Sequence, residues 1–127
     1  MEGALTDTIC AVATPIGEGG IGIVRISGPA ALSVAQKVVR LRSNESLEKT
    51  PSHTLHLVDV LSLKTPEPPP IHTEFKDRII DEGLVVYMKA PRSFTAEDVV
   101  EIHCHGSLIV LNRVCEACLS AGARMAQ

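Results

Sequence analysis

Gly17-Glu18-Gly19-Gly20-Ile21-Gly22-Ile23-Val24-Arg25-Ile26-Ser27-Gly28-Pro29 is the stretch on which the fold turns. Its glycines match a dinucleotide-binding fingerprint letter for letter, but that motif needs a strand before it and a helix after it, so that a helix N-terminus meets the pyrophosphate. Here a strand follows: Ile21 to Ser27 is apolar on both faces apart from Arg25. No acidic residue stands where a ribose partner belongs. The glycine run therefore reads as a turn whose bare backbone lets a ligand or another chain come close. Gly28-Pro29 ends the strand and opens a helix, with proline at the first helical position.

Outward from that stretch, Thr8 to Ala13 is rich in small and β-branched residues and predicts a preceding strand. The helix after Pro29 carries an apolar stripe of Leu32, Ala35, Val38 and Val39, with Lys37, Arg40 and Arg42 gathered near its C-terminal end, the favourable side of its dipole. His53 to Leu63, Ile79 to Met88 and Asp98 to His105 predict three further strands. Between the first two of these, residues 64–73 carry Pro66, Pro68, Pro69 and Pro70, which excludes regular structure and predicts an exposed loop. Gly106-Ser107 opens a second helix with a stripe of Leu111, Val114, Cys115, Cys118 and Ala121, stopped by Gly122. Ala123 to Gln127 starts another strand. The expectation is one α+β domain over residues 1–127, ordered β-β-α-β-β-β-α on a mixed sheet, and a fragment of something larger.

Composition narrows the function classes. With 45% hydrophobic residues the chain buries a real core, and with 2% aromatics that core is built from Val, Ile, Leu and Ala. The same scarcity of rings disfavours a base-stacking platform, and a net charge of −3 has the wrong sign for a free-standing nucleic-acid clamp. No apolar run approaches the roughly 18–20 residues that span a bilayer. The N-terminus lacks the basic and apolar regions of a signal peptide, so the expected location is cytoplasmic, or an organelle matrix if a leader has been removed. No G-x-x-x-x-G-K-[S/T] run occurs, so no nucleoside triphosphate is held by that route.

Cys115-x-x-Cys118, with His103 and His105 upstream, invites a zinc reading, but both cysteines fall on the apolar stripe of a helix, where a buried thiol packs as a small hydrophobe. Core packing is the preferred reading, and the expected metal content is none. Alternation places Arg25 with Ile21, Ile23 and Ser27 on one strand face. In the last strand, Val100, Ile102 and Cys104 share one face while Val99, Glu101, His103 and His105 share the other. The readings that stay open for Arg25 and Glu101 are a bland one, an ion pair or ordinary solvent exposure, and a binding site. The second helix begins beyond this polar face, with the N–H groups of Gly106, Ser107 and Leu108 offered to an anionic or carbonyl group.

Two stretches carry a resemblance. Asp7-Thr8-Ile9-Cys10-Ala11-Val12-Ala13-Thr14-Pro15-Ile16 through the glycine run to Gly28, and Ala90-Pro91-Arg92-Ser93-Phe94-Thr95-Ala96-Glu97-Asp98-Val99-Val100-Glu101-Ile102-His103-Cys104-His105-Gly106, together resemble the amino-terminal domain of the tRNA-modification GTPase family (TrmE/MnmE). The resemblance implies a fold similar to one half of the aminomethyltransferase-type folate-binding fold, and a 5-formyl-tetrahydrofolate or related tetrahydrofolate as ligand. It implies a homodimer in which the first strand completes the partner's sheet. It further implies a whole protein that, with a flavin-containing partner enzyme, modifies C5 of the wobble uridine in tRNA. The folate-contacting arginine falls on Arg25 and the glutamate on Glu101, with Gly19, Gly20, His105 and Gly106 as weaker candidates. A further lysine contact, the helical and GTPase domains and a catalytic cysteine lie beyond Gln127, so this chain alone is expected to be inactive. Ala96 and Ser107 stand where glycine is common in the family, and Cys10 replaces a small residue. The alternatives are a ligand-free dimerisation module and a zinc-bound RNA module. A pterin offers an amino group beside a ring N–H, and one carboxylate accepts both as a bidentate pair.

Overall fold

The computed structural model describes residues 7–13, 20–63, 78–90 and 97–126. The proline-bearing loop, Gly19 and most of the glycine run lie outside the described residues. Those described form β1 (Ile9–Val12), β2 (Ile21–Ser27), α1 (Ala31–Val38), β3 (Val39–Leu41), β4 (Leu55–Leu61), β5 (Ile79–Met88), β6 (Val99–His105), α2 (Leu108–Ser120) and β7 (Arg124–Met125). The strands make one sheet ordered β3-β4-β5-β6-β2-β1-β7. Every pairing is antiparallel except β7 beside β1, so the sheet is mixed, as expected of the α+β class.

Both helices cover the same face. Cys10, Val24, Ile26, Val58, Val60, Val85, Val100 and Ile102 point into them and are fully buried, meeting Val34, Ala35 and Val38 of α1 and Leu111, Val114 and Cys118 of α2. This alternation makes each strand two-faced. The opposite face carries cross-sheet rows that the register fixes: Leu55, Val86, Glu101, Arg25 and Ala11 form one, and Leu57, Leu84, His103 and Ile23 the next.

The α2 stripe is buried as read, including Cys115 and Cys118. Cys10 of β1 meets them from the sheet, and its Sγ donates to Met125 Sδ at 3.5 Å. The contact with Cys115 favours the Cys10 thiolate, but Cys118 and burial outweigh it and push that thiol up to about 11. Cys104 is pushed up to about 11 chiefly by burial. These are protonated packing groups, and the core reading of the cysteines stands.

Three local expectations are corrected. Pro29 does not sit inside α1: the helix starts at Ala31 with Ala30 as its cap residue. The Ala30 N–H is satisfied by Thr8 Oγ1 at 2.8 Å, a side chain just before β1 that lies beside the end of β2 because Ile9 pairs with Ser27. Secondly, Val39 and Arg40 belong to β3, and Arg42 lies just beyond it, because the ladder to β4 captures the chain where the helical stripe was read to continue. Arg42 pairs with Asp59 at 2.7 Å and Glu82 at 2.8 Å instead of a helix end. Thirdly, β6 begins at Val99, since the Asp98 carboxylate is used locally, accepting from the Ala90 N–H at 3.0 Å.

β5 leaves β6 at Gly83. A Cβ there would run into the His103 carbonyl oxygen, so only glycine permits the approach. Beyond it the Asp81 carboxylate replaces the missing backbone acceptor, taking the His105 N–H at 2.8 Å.

Candidate functional site

β2 and β6 are neighbours in the middle of the sheet, and their register sets Arg25 directly opposite Glu101 on the face without helices. Arg25 donates from Nε at 2.9 Å and Nη2 at 2.6 Å, both to Oε2 of Glu101. His103, two residues along β6, stands 3.1 Å by Nε2 from Oε1. The carboxylate is thus held by a different partner on each oxygen. Burial pushes the Glu101 carboxyl up, but the bonds from Arg25 and His103 outweigh it and hold the group below its ordinary value of 4.5. It is an anion near neutral pH. Its side chain is 14% exposed against 46% for Arg25, so the carboxylate is fixed while the guanidinium reaches solvent.

Glu101 and Arg25 border a hollow of about 420 Å³ walled by Ile9, Ala11, Val12 and Ala13, Ser27, Met88 and Val99. That size falls within the range of small-molecule sites. The wall is apolar apart from Arg25, Glu101 and Ser27, which suits a flat heterocycle with one polar edge.

The weaker candidates among the described residues, Gly20, His105 and Gly106, lie elsewhere. Gly20, Ile21, Glu82, Gly83, Leu84, His103, Cys104 and His105 line a second hollow of about 210 Å³. His105 opposes Ile21, four residues along the ladder from Arg25 and Glu101, which is roughly 13 Å. Its Nδ1 lies 2.8 and 2.9 Å from the two oxygens of Asp81. The Gly106 N–H, offered in the sequence to a ligand, already donates to the Gly20 carbonyl at 3.2 Å. Ser107 caps α2, its Oγ accepting from the Val110 N–H at 3.1 Å. The departure from glycine at this position thus serves the helix.

Sequence reasoning held an Arg25–Glu101 pair open as one alternative but missed His103 as the second partner of the carboxylate, although the alternation that put Glu101 and His103 on one face was the available signal. It also missed Met88 and the β1 wall, which only the strand order reveals. Among the described residues no group of three or more His, Cys, Asp or Glu is placed to hold a metal ion. No helix among them is long and apolar enough to cross a membrane.

The curated relatives include proteins named tRNA modification GTPase MnmE from Heliobacterium modesticaldum, 50% identical over 121 residues, and from Carboxydothermus hydrogenoformans, 44% identical over 123. One from Bacillus subtilis is 40% identical over 121 residues. The matches cover 95–97% of this chain but 24% of each relative, so the chain spans about a quarter of their length. Residues 8–127 match the family described as GTP-binding protein TrmE N-terminus, and with nearly its whole length inside that match the chain belongs to this family.

Proposed function

We propose that this chain binds a tetrahydrofolate one-carbon donor, 5-formyl-tetrahydrofolate or a close relative, with its pterin in the hollow beside Glu101. The observation that carries the reading is an ionised, doubly anchored carboxylate at the edge of an apolar hollow of about 420 Å³. The pterin presents its 2-amino group and N3–H side by side. Glu101 Oε1 keeps a free lone pair beside His103, and Oε2 frees one when Arg25 gives up one of its two bonds. Arg25, the more exposed partner, then swings to the ring carbonyl. Each group gains a charge-assisted bond.

The second part of the reading is a homodimer. β7 pairs only with Ile9 and Cys10, so the Ala11–Val12 half of that edge has no strand beside it among the described residues. An uncovered edge of this kind takes a strand from a second copy. As part of a longer protein of the kind its relatives' name describes, the chain would supply the one-carbon unit for modification at C5 of a wobble uridine in tRNA, with a flavin-containing enzyme as partner. The reaction is placed in the cytoplasm, or in an organelle matrix.

Calorimetry with 5-formyl-tetrahydrofolate tests the ligand. Saturable binding, with an unfolding midpoint that rises with ligand concentration, is expected. A chain that dimerises and shows neither is a ligand-free dimerisation module. Stoichiometric zinc in the purified protein would favour the metal-bound RNA module instead.

A further inference from the structure

We infer that His103 is a positioning residue for the folate site: its imidazole fixes the plane of the Glu101 carboxylate so that its open lone pairs face the pterin's paired donors. This rests on the reading of Glu101 as the pterin's acceptor. The terminal torsion of a glutamate is broad and roughly two-fold, so a carboxylate anchored through one oxygen alone rotates about its last bond. Arg25 supplies only that single anchor, because both of its bonds go to Oε2. His103 supplies the other at Oε1. With each oxygen held by a different partner, the plane is set before any ligand arrives, and the ordering cost is removed from binding.

The chemistry of the pair fixes the tautomer. An ionised carboxylate only accepts, so the 3.1 Å contact requires the proton on Nε2 of His103. The ring is held for this task by its row: Leu84 on β5 and Ile23 on β2 flank it directly across the ladder. Its side chain is 22% exposed. The same ring lines the second hollow with His105 and touches Glu101, which borders the first.

The experiment uses the whole chain, wild type, His103→Leu and His103→Gln, with two ligands measured by calorimetry. One is 5-formyl-tetrahydrofolate, and the other is its analogue lacking the 2-amino group, which cannot form the paired contact. Leucine keeps the bulk and loses the donor, whereas the glutamine amide nitrogen reaches about where Nε2 stands and donates. For the parent ligand His103→Leu should bind roughly tenfold more weakly and His103→Gln within about threefold of wild type, the loss of one hydrogen bond to a charged group. For the analogue His103→Leu and wild type should bind alike, since coupling between residue and ligand group vanishes when either is removed. Equal weakening of both ligands by His103→Leu, or failure of His103→Gln to restore binding, overturns the positioning role and leaves the folate reading intact. Absence of binding of 5-formyl-tetrahydrofolate to wild type overturns the folate reading and this inference with it.

Discussion

Replacing Glu101 by glutamine exchanges one oxygen for an NH2 and removes one charge, with a small consequence for stability and a large one for binding. In the free protein the amide can satisfy its neighbours: the carbonyl oxygen turns to Arg25, which only donates, and the NH2 turns to His103, whose Nε2 accepts after a change of tautomer. What is lost is the charge of a pair whose arginine is 46% exposed, which contributes about 0–1 kcal/mol. Glu101→Gln should therefore unfold near the wild-type temperature. Binding is different. The NH2 now faces the pterin's own donors, and breaking such a charge-assisted pair costs about 2–5 kcal/mol, roughly thirtyfold to several thousandfold in affinity. Because the Glu101 carboxyl is held below its ordinary value, its stabilisation is present above the unfolded carboxylate range and is lost as pH falls through the lowered folded value. The small stability gap between wild type and Glu101→Gln should close on acidification. Calorimetry and thermal unfolding read both quantities. Glu101→Gln binding 5-formyl-tetrahydrofolate within about threefold of wild type would refute the pterin assignment, and a large loss of stability without ligand would make Glu101 a structural residue.

Three further outcomes are expected. Changing Cys115 and Cys118 together to Ala should cost about 1–3 kcal/mol in urea unfolding, from lost packing, with metal content and folate affinity unchanged. Val12→Asp should shift a wild-type dimer toward monomer in light scattering, since it puts a charge in the uncovered half of β1, with thermal unfolding read alongside because Val12 also packs against the core; a wild-type protein already monomeric at high concentration would end that reading. Gly83→Ala should destabilise by about 1–3 kcal/mol, because its methyl meets the rigid carbonyl of His103; wild-type stability would show that β5 can move aside there.

Strands with strong alternation or a long β-branched run were legible: β2 and β5 match their sequence boundaries, as does the buried stripe of α2. Residues 38–42 were not, because Val38-Val39 suits a helix stripe as well as a strand. The ladder to β4, more than a dozen residues later, decides the matter. The proline rule placed Pro29 too far in, since the donor that needed satisfying was met by Thr8, remote in sequence but beside it through the pairing of β1 with β2. The site was half legible. Alternation showed that Arg25 and Glu101 each stood on an odd face, but that they face each other follows from the register of β2 on β6, which no local pattern encodes. The wall supplied by β1 and Met88 depends on strand order and was invisible for the same reason.

β1 serves two surfaces at once. Ile9 and Ala11 wall the hollow, while the strand's outer edge is covered over only two residues by β7. A strand of four residues is too short to be stiff on one side and loose on the other. Anything that pairs along the open half steadies the wall behind it, and anything that fills the hollow steadies the edge in front. For the proposed ligand and the proposed second copy, the two affinities would then be linked quantities: whatever factor one gains from the other must be returned in full. Titrating the ligand at several protein concentrations would read that factor directly, with no substitution in the chain.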